Sequence, residues 1–296
     1  MEAKHNSVLM SEVLEALDIQ PSDTVVDATI GGAGHFGELL TALGEGGVIV
    51  GIDADPAAVE RGREAYARDR RPERPVAHLV NDNFRNLARI LERLGIAPVD
   101  KFLFDLGWSG YQIAAPRGFS FQNDEPLLMA YSETGETAAD IVNSSSEEDL
   151  ANIIFVYGEE RFARSIARAI VKARADERIL TTGALVKAIL AGTPAWYHKQ
   201  KIHPATKTFQ ALRIAVNDEL GAIKEGLAAA INALSPNGRL IVISFHSIED
   251  RIVKNILRDA VQSKPLQSKK PIVATRSEII ANRRARSAKL RVLSYV

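Results

Sequence analysis

The chain has 296 residues, no cysteine, 37 basic and 37 acidic side chains, and no apolar run near the ~18 residues of a membrane span. The length suits one large α/β domain or two modest ones, and the missing cysteine excludes disulfides, thiolate metal sites and a thiol nucleophile. Neither a membrane span nor a signal peptide is expected, which points to the cytoplasm. Zero net charge hides a steep asymmetry. Residues 1–160 carry 12 Lys and Arg against 28 Asp and Glu, whereas 161–207 carry 10 against 2 and 251–291 carry 12 against 2. Two basic segments on a neutral protein suggest a polyanion-facing side; the plainer reading is solvated helix faces.

In chain order, Val8, Leu9, Val13, Leu14 and Leu17 recur at helical spacing and predict an amphipathic helix. "TVVDA" (24–28), "GVIVGID" (47–53), "VAHLVN" (76–81) and "KFLFDLG" (101–107) then read as near-continuous apolar strands, with helical patterns between them at 33–43, 56–68 and 84–94. That alternation predicts a parallel sheet covered on both faces. Beyond 110 the rhythm breaks. "APRGFSFQNDEP" is loop-like, "NSSSEEDLANIIFVYGEERFARSIARAIVKAR" is helical with Ser145 and Glu148 as a capping box, and "TTGALVKAIL" is a short helix. The sheet pattern resumes with a long helix at 207–234, the strand "RLIVISF" (239–245), a helix at 247–260 and a final strand "KLRVLSY" (289–295). The expected organisation is a discontinuous sheet domain, 1–110 and 206–296, interrupted by a helical domain at 111–205.

The stretch "DATIGGAGHF" follows the first strand. Gly32, Gly34 and Gly37 fit G-x-G-x-x-G, with Asp53 about 20 residues on. Acidic residues also end or follow four successive strands: Asp27, Asp53, Asp82 and Asp105. In a doubly wound sheet those ends line one crevice. Several carboxylates there suit a cationic, hydroxyl-bearing ligand better than a pyrophosphate, and S-adenosylmethionine has that chemistry. Asp53 would accept the ribose hydroxyls, while Gly31, Gly32 and Gly34 let the backbone approach the amino-acid part. A nicotinamide dinucleotide would also use Asp53 but has little use for Asp27 beside a phosphate.

The segments "HNSVLMSEVL", "DATIGGAGH", "GIDADP", "RGFSF", "YGEERFARSIARAI", "HPATKTFQALRIAVNDEL", "GRLIVISFHSIEDRIVK" and "RARSAKLR" stand in order. Together they resemble the RsmH (MraW) family, whose members make N4-methylcytosine in bacterial small-subunit (16S) ribosomal RNA. The resemblance implies a Rossmann-like class I S-adenosylmethionine-dependent methyltransferase with an inserted all-helical domain that recognises RNA. It also implies a target cytidine near the decoding centre of the small ribosomal subunit. Donor contacts carry over to Ala33, Gly34, His35, Asp53, Phe84, Asp105 and Gln112. The sequence departs from the family pattern at Trp108, Ser109 and Gly110, where a valine and two serines are expected. Leu128 and Ala130 stand for an aspartate and an arginine, and Arg283 for a proline. Oligomeric state stays open, a homodimer included, and no metal site is expected.

Methylation at cytosine carbon 5 usually needs a cysteine, which this chain lacks; methylation at an exocyclic amine needs only in-line approach and an acceptor for the N–H. Asp105 is the expected acceptor, or else a donor-binding residue only. Phe84 would cover the adenine face with Asp82 near its amine. Trp108 or Tyr111 would stack on an unstacked cytosine, unless Trp108 is buried packing. Arg161, Arg164, Arg168 and Lys172 recur on one helix face, and Arg283, Arg284, Arg286 and Lys289 cluster later; both groups would face RNA phosphates. His246 and Glu249 support either a pocket role or a structural one. The changes at Leu128 and Ala130 leave room for a relative that binds ribosomal RNA without catalysis.

Overall fold

A computed structural model describes residues 7–107, 111, 116–132 and 135–295. The chain divides into two compact units, Met1–Ser109 with Leu220–Val296, and Gly110–Glu219.

The first unit is built on β1 (Thr24–Asp27), β2 (Val48–Asp53), β3 (Val76–Asn81), β4 (Val99–Asp105), β5 (Leu234–Ser244), β6 (Leu266–Ser268), β7 (Ile272–Val273) and β8 (Lys289–Tyr295). The sheet order is β3-β2-β1-β4-β5-β8-β6, with β7 pairing β8. β3 to β5 run parallel, as the apolar strands separated by helices predict, while β8 runs antiparallel to β5. This is Rossmann-like, modified at one edge by the antiparallel strand. The short β6 and β7 have no signature in the sequence.

Alternate strand residues explain why both faces are covered. Val25, Ile49, Leu103 and Ile241 join one core with α1 (Met10–Leu17) and α2 (Gly34–Ala42). Val26, Val50, Phe102, Phe104 and Val242 join the other. That second core is closed by α4 (Leu87–Leu94), which follows α3 (Pro56–Arg68), and by Ile223, Leu227, Val253 and Leu257 from two later helices. Filling the space with branched aliphatics and phenylalanines removes essentially all of the central strands' apolar surface from water, at about 25 cal/mol per Å².

The second unit is helical: α5 (Ala138–Ser144), α6 (Glu147–Gly158), α7 (Ala163–Asp176), α8 (Thr182–Ala191) and α9 (Ala205–Asn217). The long helical stretch of the sequence is three helices. Ser145 ends α5, and it is Ser146 that caps α6, accepting the Asp149 N–H at 3.1 Å. The expected helix at 207–234 is also divided. Asp218 takes a left-handed conformation (φ 42°) between α9 and α10 (Glu219–Ala233). α9 packs against α6, close enough that a Cβ on Gly158 would sit 2.6 Å from the Lys207 carbonyl. The helical unit therefore reaches Glu219 rather than stopping at 205, because packing assigns α9 to it. α11 (Ser247–Ser263) and α12 (Arg276–Ala281) return to the first unit.

Candidate active site

Strand order alone gathers the acidic residues. β3, β2, β1 and β4 are adjacent and parallel, so Asp27, Asp53, Asp105 and the turn after Asn81 share one edge of the sheet. The glycine loop lies there too. Gly31 (φ 52°) and Ala33 (φ 60°) are left-handed, and Ala33, the residue before α2, has no side chain that could cap the helix's first turn, an end that suits an anionic group. A Cβ at Gly34 would displace the Ser7 hydroxyl, which packs against this glycine.

Asp53 is held by the backbone. Its Oδ2 accepts the Gly31 N–H at 2.8 Å and its Oδ1 the Asp55 N–H at 2.9 Å. Each oxygen retains a further lone pair, which suits a diol. Burial pushes its pKa up to about 6, against those two N–H bonds. Phe84, in a 3₁₀ turn at Phe84–Asn86 after β3, meets Phe104 edge-on at 5.5 Å and is half-buried. Asp82, by contrast, is spent locally. Its Oδ1 accepts Asn83 N–H and Asn86 Nδ2, which braces the turn, while its Oδ2 lies 3.4 Å from the exposed Arg89.

Asp105 and His35 form the centre of the edge. The Asp105 N–H donates to Thr29 Oγ1 at 2.7 Å, and Asp105 Oδ2 lies 3.4 Å from His35 Nδ1. Nε2 of His35 lies 3.0 Å from the Val8 carbonyl oxygen, which only accepts, so that nitrogen carries a proton. Burial lowers the pKa of His35, but the hydrogen bond and charge of Asp105 and the charge of Asp27 outweigh it, and the net shift is upward. Asp27 is fully buried and its pKa is pushed up to about 7 by that burial. Thr29 N–H serves its Oδ1 at 3.1 Å; Asp27 Oδ2 and Asp105 Oδ1 are buried with no hydrogen-bond partner among the described residues. Such orphaned oxygens are rare and call for a ligand or a function.

The profile of the MraW methylase family matches residues 2–296. The chain belongs to that family. It is 49% identical over 293 residues to the Ribosomal RNA small subunit methyltransferase H of Deinococcus deserti, covering 99% of this chain and 93% of that protein. The protein of the same name from Deinococcus radiodurans is 49% identical over 289 residues, 97% and 88% of the two chains. That from Geobacter sulfurreducens is 46% identical over 310 residues, 98% of each. The fold is thus that of a class I methyltransferase, and the methyl donor is S-adenosylmethionine. The edge fits such a donor: the N–H groups at the start of α2 suit its carboxylate, Asp53 suits its ribose diol, and the unpartnered buried oxygens of Asp27 and Asp105 suit a cationic group.

Ala33, Gly34, His35, Asp53, Phe84 and Asp105 are therefore brought to one edge, while Gln112 and Trp108 lie outside the described residues. Tyr111 is exposed. Leu128 is exposed and Ala130 half-buried, on a loop held by Asn217, whose amide donates to the Met129 carbonyl at 2.8 Å and accepts Tyr131 N–H at 2.9 Å.

The basic residues separate. Arg161, Arg164, Arg168 and Lys172 are all exposed, opposite the buried Ala163, Ile166, Ala167 and Ile170 of α7. Arg283 and Arg286 are exposed as well. Two members of the second cluster are less free: one is ion-paired and one half-buried. Lys289 donates to Asp250 Oδ2 at 2.9 Å, beside Arg291 on Oδ1 at 2.8 Å, because β8 runs next to the start of α11. Arg284 is half-buried; burial draws its pKa down against the charge of Asp105. Nothing in the local sequence links position 284 to 105; only the three-dimensional fold does. His246 and Glu249 form a capping box on α11: Glu249 N–H donates to His246 Nδ1 at 3.3 Å, and Glu249 Oε2 accepts Phe245 N–H at 2.9 Å.

Proposed function

We propose that this chain methylates the N4 amine of a cytidine in bacterial 16S ribosomal RNA, within the small ribosomal subunit and near its decoding centre, acting in the cytoplasm. The supporting observation is the unpartnered, buried Oδ1 of Asp105, backed by the names of the relatives. Ala33, Gly34, His35, Asp53, Phe84, Asp105 and Gln112 would hold S-adenosylmethionine, which supplies an electrophilic methyl group.

Cytosine N4 is a weak nucleophile because its lone pair is delocalised into the ring. Asp105 Oδ1 would accept a hydrogen bond from N4–H, turning the lone pair toward the methyl group, and would take the proton as the N–C bond forms and the methyl's bond to the donor sulfur breaks, leaving a neutral thioether. With Nε2–H on the Val8 carbonyl, Nδ1 of His35 donates to the other oxygen in the imidazolium form that its raised pKa favours, and this leaves Oδ1 for the amine. Thr29 fixes the backbone of Asp105 from beneath. The helical unit, with its exposed Arg161, Arg164, Arg168 and Lys172, would bind phosphates, joined by Arg283 and Arg286.

Labelled S-adenosylmethionine incubated with small subunits lacking the modification, followed by nucleoside analysis, tests this. N4-methylcytidine that disappears with Asp105→Ala is the expected result. Donor binding without transfer to any ribosomal RNA would instead indicate an RNA-binding relative that has lost catalysis.

A further inference from the structure

Trp196 is one of two tryptophans in the chain and leaves half its surface (50%) in water. Its ring is nonetheless fixed. It stands edge-on to Phe162 at 5.9 Å and to Tyr197 at 5.8 Å, and those two rings meet at 4.9 Å. Tyr197 is anchored by its hydroxyl, which donates to the buried Glu160 at 2.6 Å; the other Glu160 oxygen accepts the Phe162 N–H at 2.9 Å. Burial, with Glu160 adding to it, pushes the Tyr197 pKa up to about 12, so this phenol stays a donor.

Arg161 sits over all three rings, its guanidinium carbon 4.7 Å from the Trp196 centroid, 4.9 Å from Phe162 and 5.3 Å from Tyr197. It is exposed and forms no ion pair with a described residue. The rings fix where the cation stands, and it donates no hydrogen bond to a described residue, so its N–H groups stay available. Around it lie the exposed Arg164, Arg168 and Lys172 on α7, and Lys199 and Lys201 beside the 3₁₀ turn Tyr197–Lys199. A fixed, half-exposed indole in a field of positive charge suits a ligand that is both polyanionic and aromatic.

We infer that Trp196 and Arg161 form a stacking platform for one unpaired nucleotide of single-stranded RNA, the base lying on the indole and a neighbouring phosphate on the in-plane N–H groups of Arg161. This rests on the RNA-substrate reading. Duplex RNA hides its base faces and would use only the charges.

The test is fluorescence anisotropy of the full chain with a labelled ten-nucleotide single-stranded RNA and with a duplex of equal charge, over a series of salt concentrations. Trp196→Ala should weaken single-strand binding about ten-fold and leave both duplex binding and the salt slope unchanged. Trp196→Phe should restore most of the loss, which a merely unfolded variant cannot do. Arg161→Gln should lower the slope of log affinity against log salt by about 0.7. Single-strand affinity unchanged in both Trp196 variants, or equal losses for duplex and single strand, would overturn the platform while leaving the RNA reading intact. A wild-type chain that binds S-adenosylmethionine but neither RNA at low salt would overturn both.

Discussion

In the sheet unit, Asp27 and Asp105 each keep a buried oxygen with no hydrogen-bond partner among the described residues. In the helical unit, buried Glu160 and Glu219 have both oxygens engaged. Glu160 accepts from Phe162 N–H and Tyr197, and Glu219 takes Arg213 on both oxygens at 2.8 and 2.9 Å and the Tyr131 hydroxyl at 2.9 Å. A buried carboxylate is expensive unless it is paired. The helical unit meets that cost with partners and uses its acids as fasteners. The sheet unit leaves it unmet at the strand ends, where the proposed donor and amine would supply the missing bonds. Paired acids mark construction here, and the proposed chemistry falls on the unpaired ones.

Breaking a fastener should have the largest effect. Arg213→Met strips a buried, two-pronged pair and leaves Glu219 charged inside, which should cost about 3–5 kcal/mol. Urea unfolding followed on the helical signal measures it, and a loss below ~1 kcal/mol would erase the contrast. Next comes Asp27→Asn. The folded pKa of about 7 lies above the ordinary 3.8, so between those values the native state holds a proton that the unfolded chain has lost. Stability from this group therefore falls as pH rises from about 4 to about 7, by up to a few kcal/mol. The raised His35 acts in the same direction, its contribution present at low pH and lost as pH climbs through its folded pKa. Unfolding free energies at pH 5 and pH 8 should drop in the wild type and drop less in Asp27→Asn; equal drops would refute the assignment. The smallest effect is expected at an exposed cap. Ser146→Ala removes the bond to Asp149 N–H and should cost about 1 kcal/mol by thermal melting, whereas Ser145→Ala should cost less.

Much of the sheet was legible because three of the five parallel strands are apolar runs closed by an acid. "TVVD", "VIVGID" and "KFLFD" show in one line both the buried strand and the edge where it ends. The donor loop could be read for the same reason, since glycine spacing follows from local backbone geometry. What stayed hidden depends on partners distant in sequence. No glycine or proline marks the break at Asp218; the neighbouring Asn217 amide fixes it by reaching back to Met129 and to Arg213. A basic residue shows its sign in the sequence but not its partner. So Lys289, paired with Asp250, and the half-buried Arg284 read the same as the exposed Arg283 and Arg286. Ser145 and Ser146 are chemically identical, and only the start of α6 decides which one caps.

The pairing of β4 with β5 sets a clock on synthesis. The residues from Asp27 to Asp105 are contiguous, yet the strand that closes the far side of β4 begins at Leu234, about 130 residues after β4 ends. At roughly 5–20 residues per second, the edge of a strand carrying Phe102, Leu103 and Phe104 waits on the order of ten seconds for its neighbour. A nascent chain of this fold therefore has its acidic edge in place early, while a hydrophobic flank stands open to chaperones and to other nascent chains until β5 emerges.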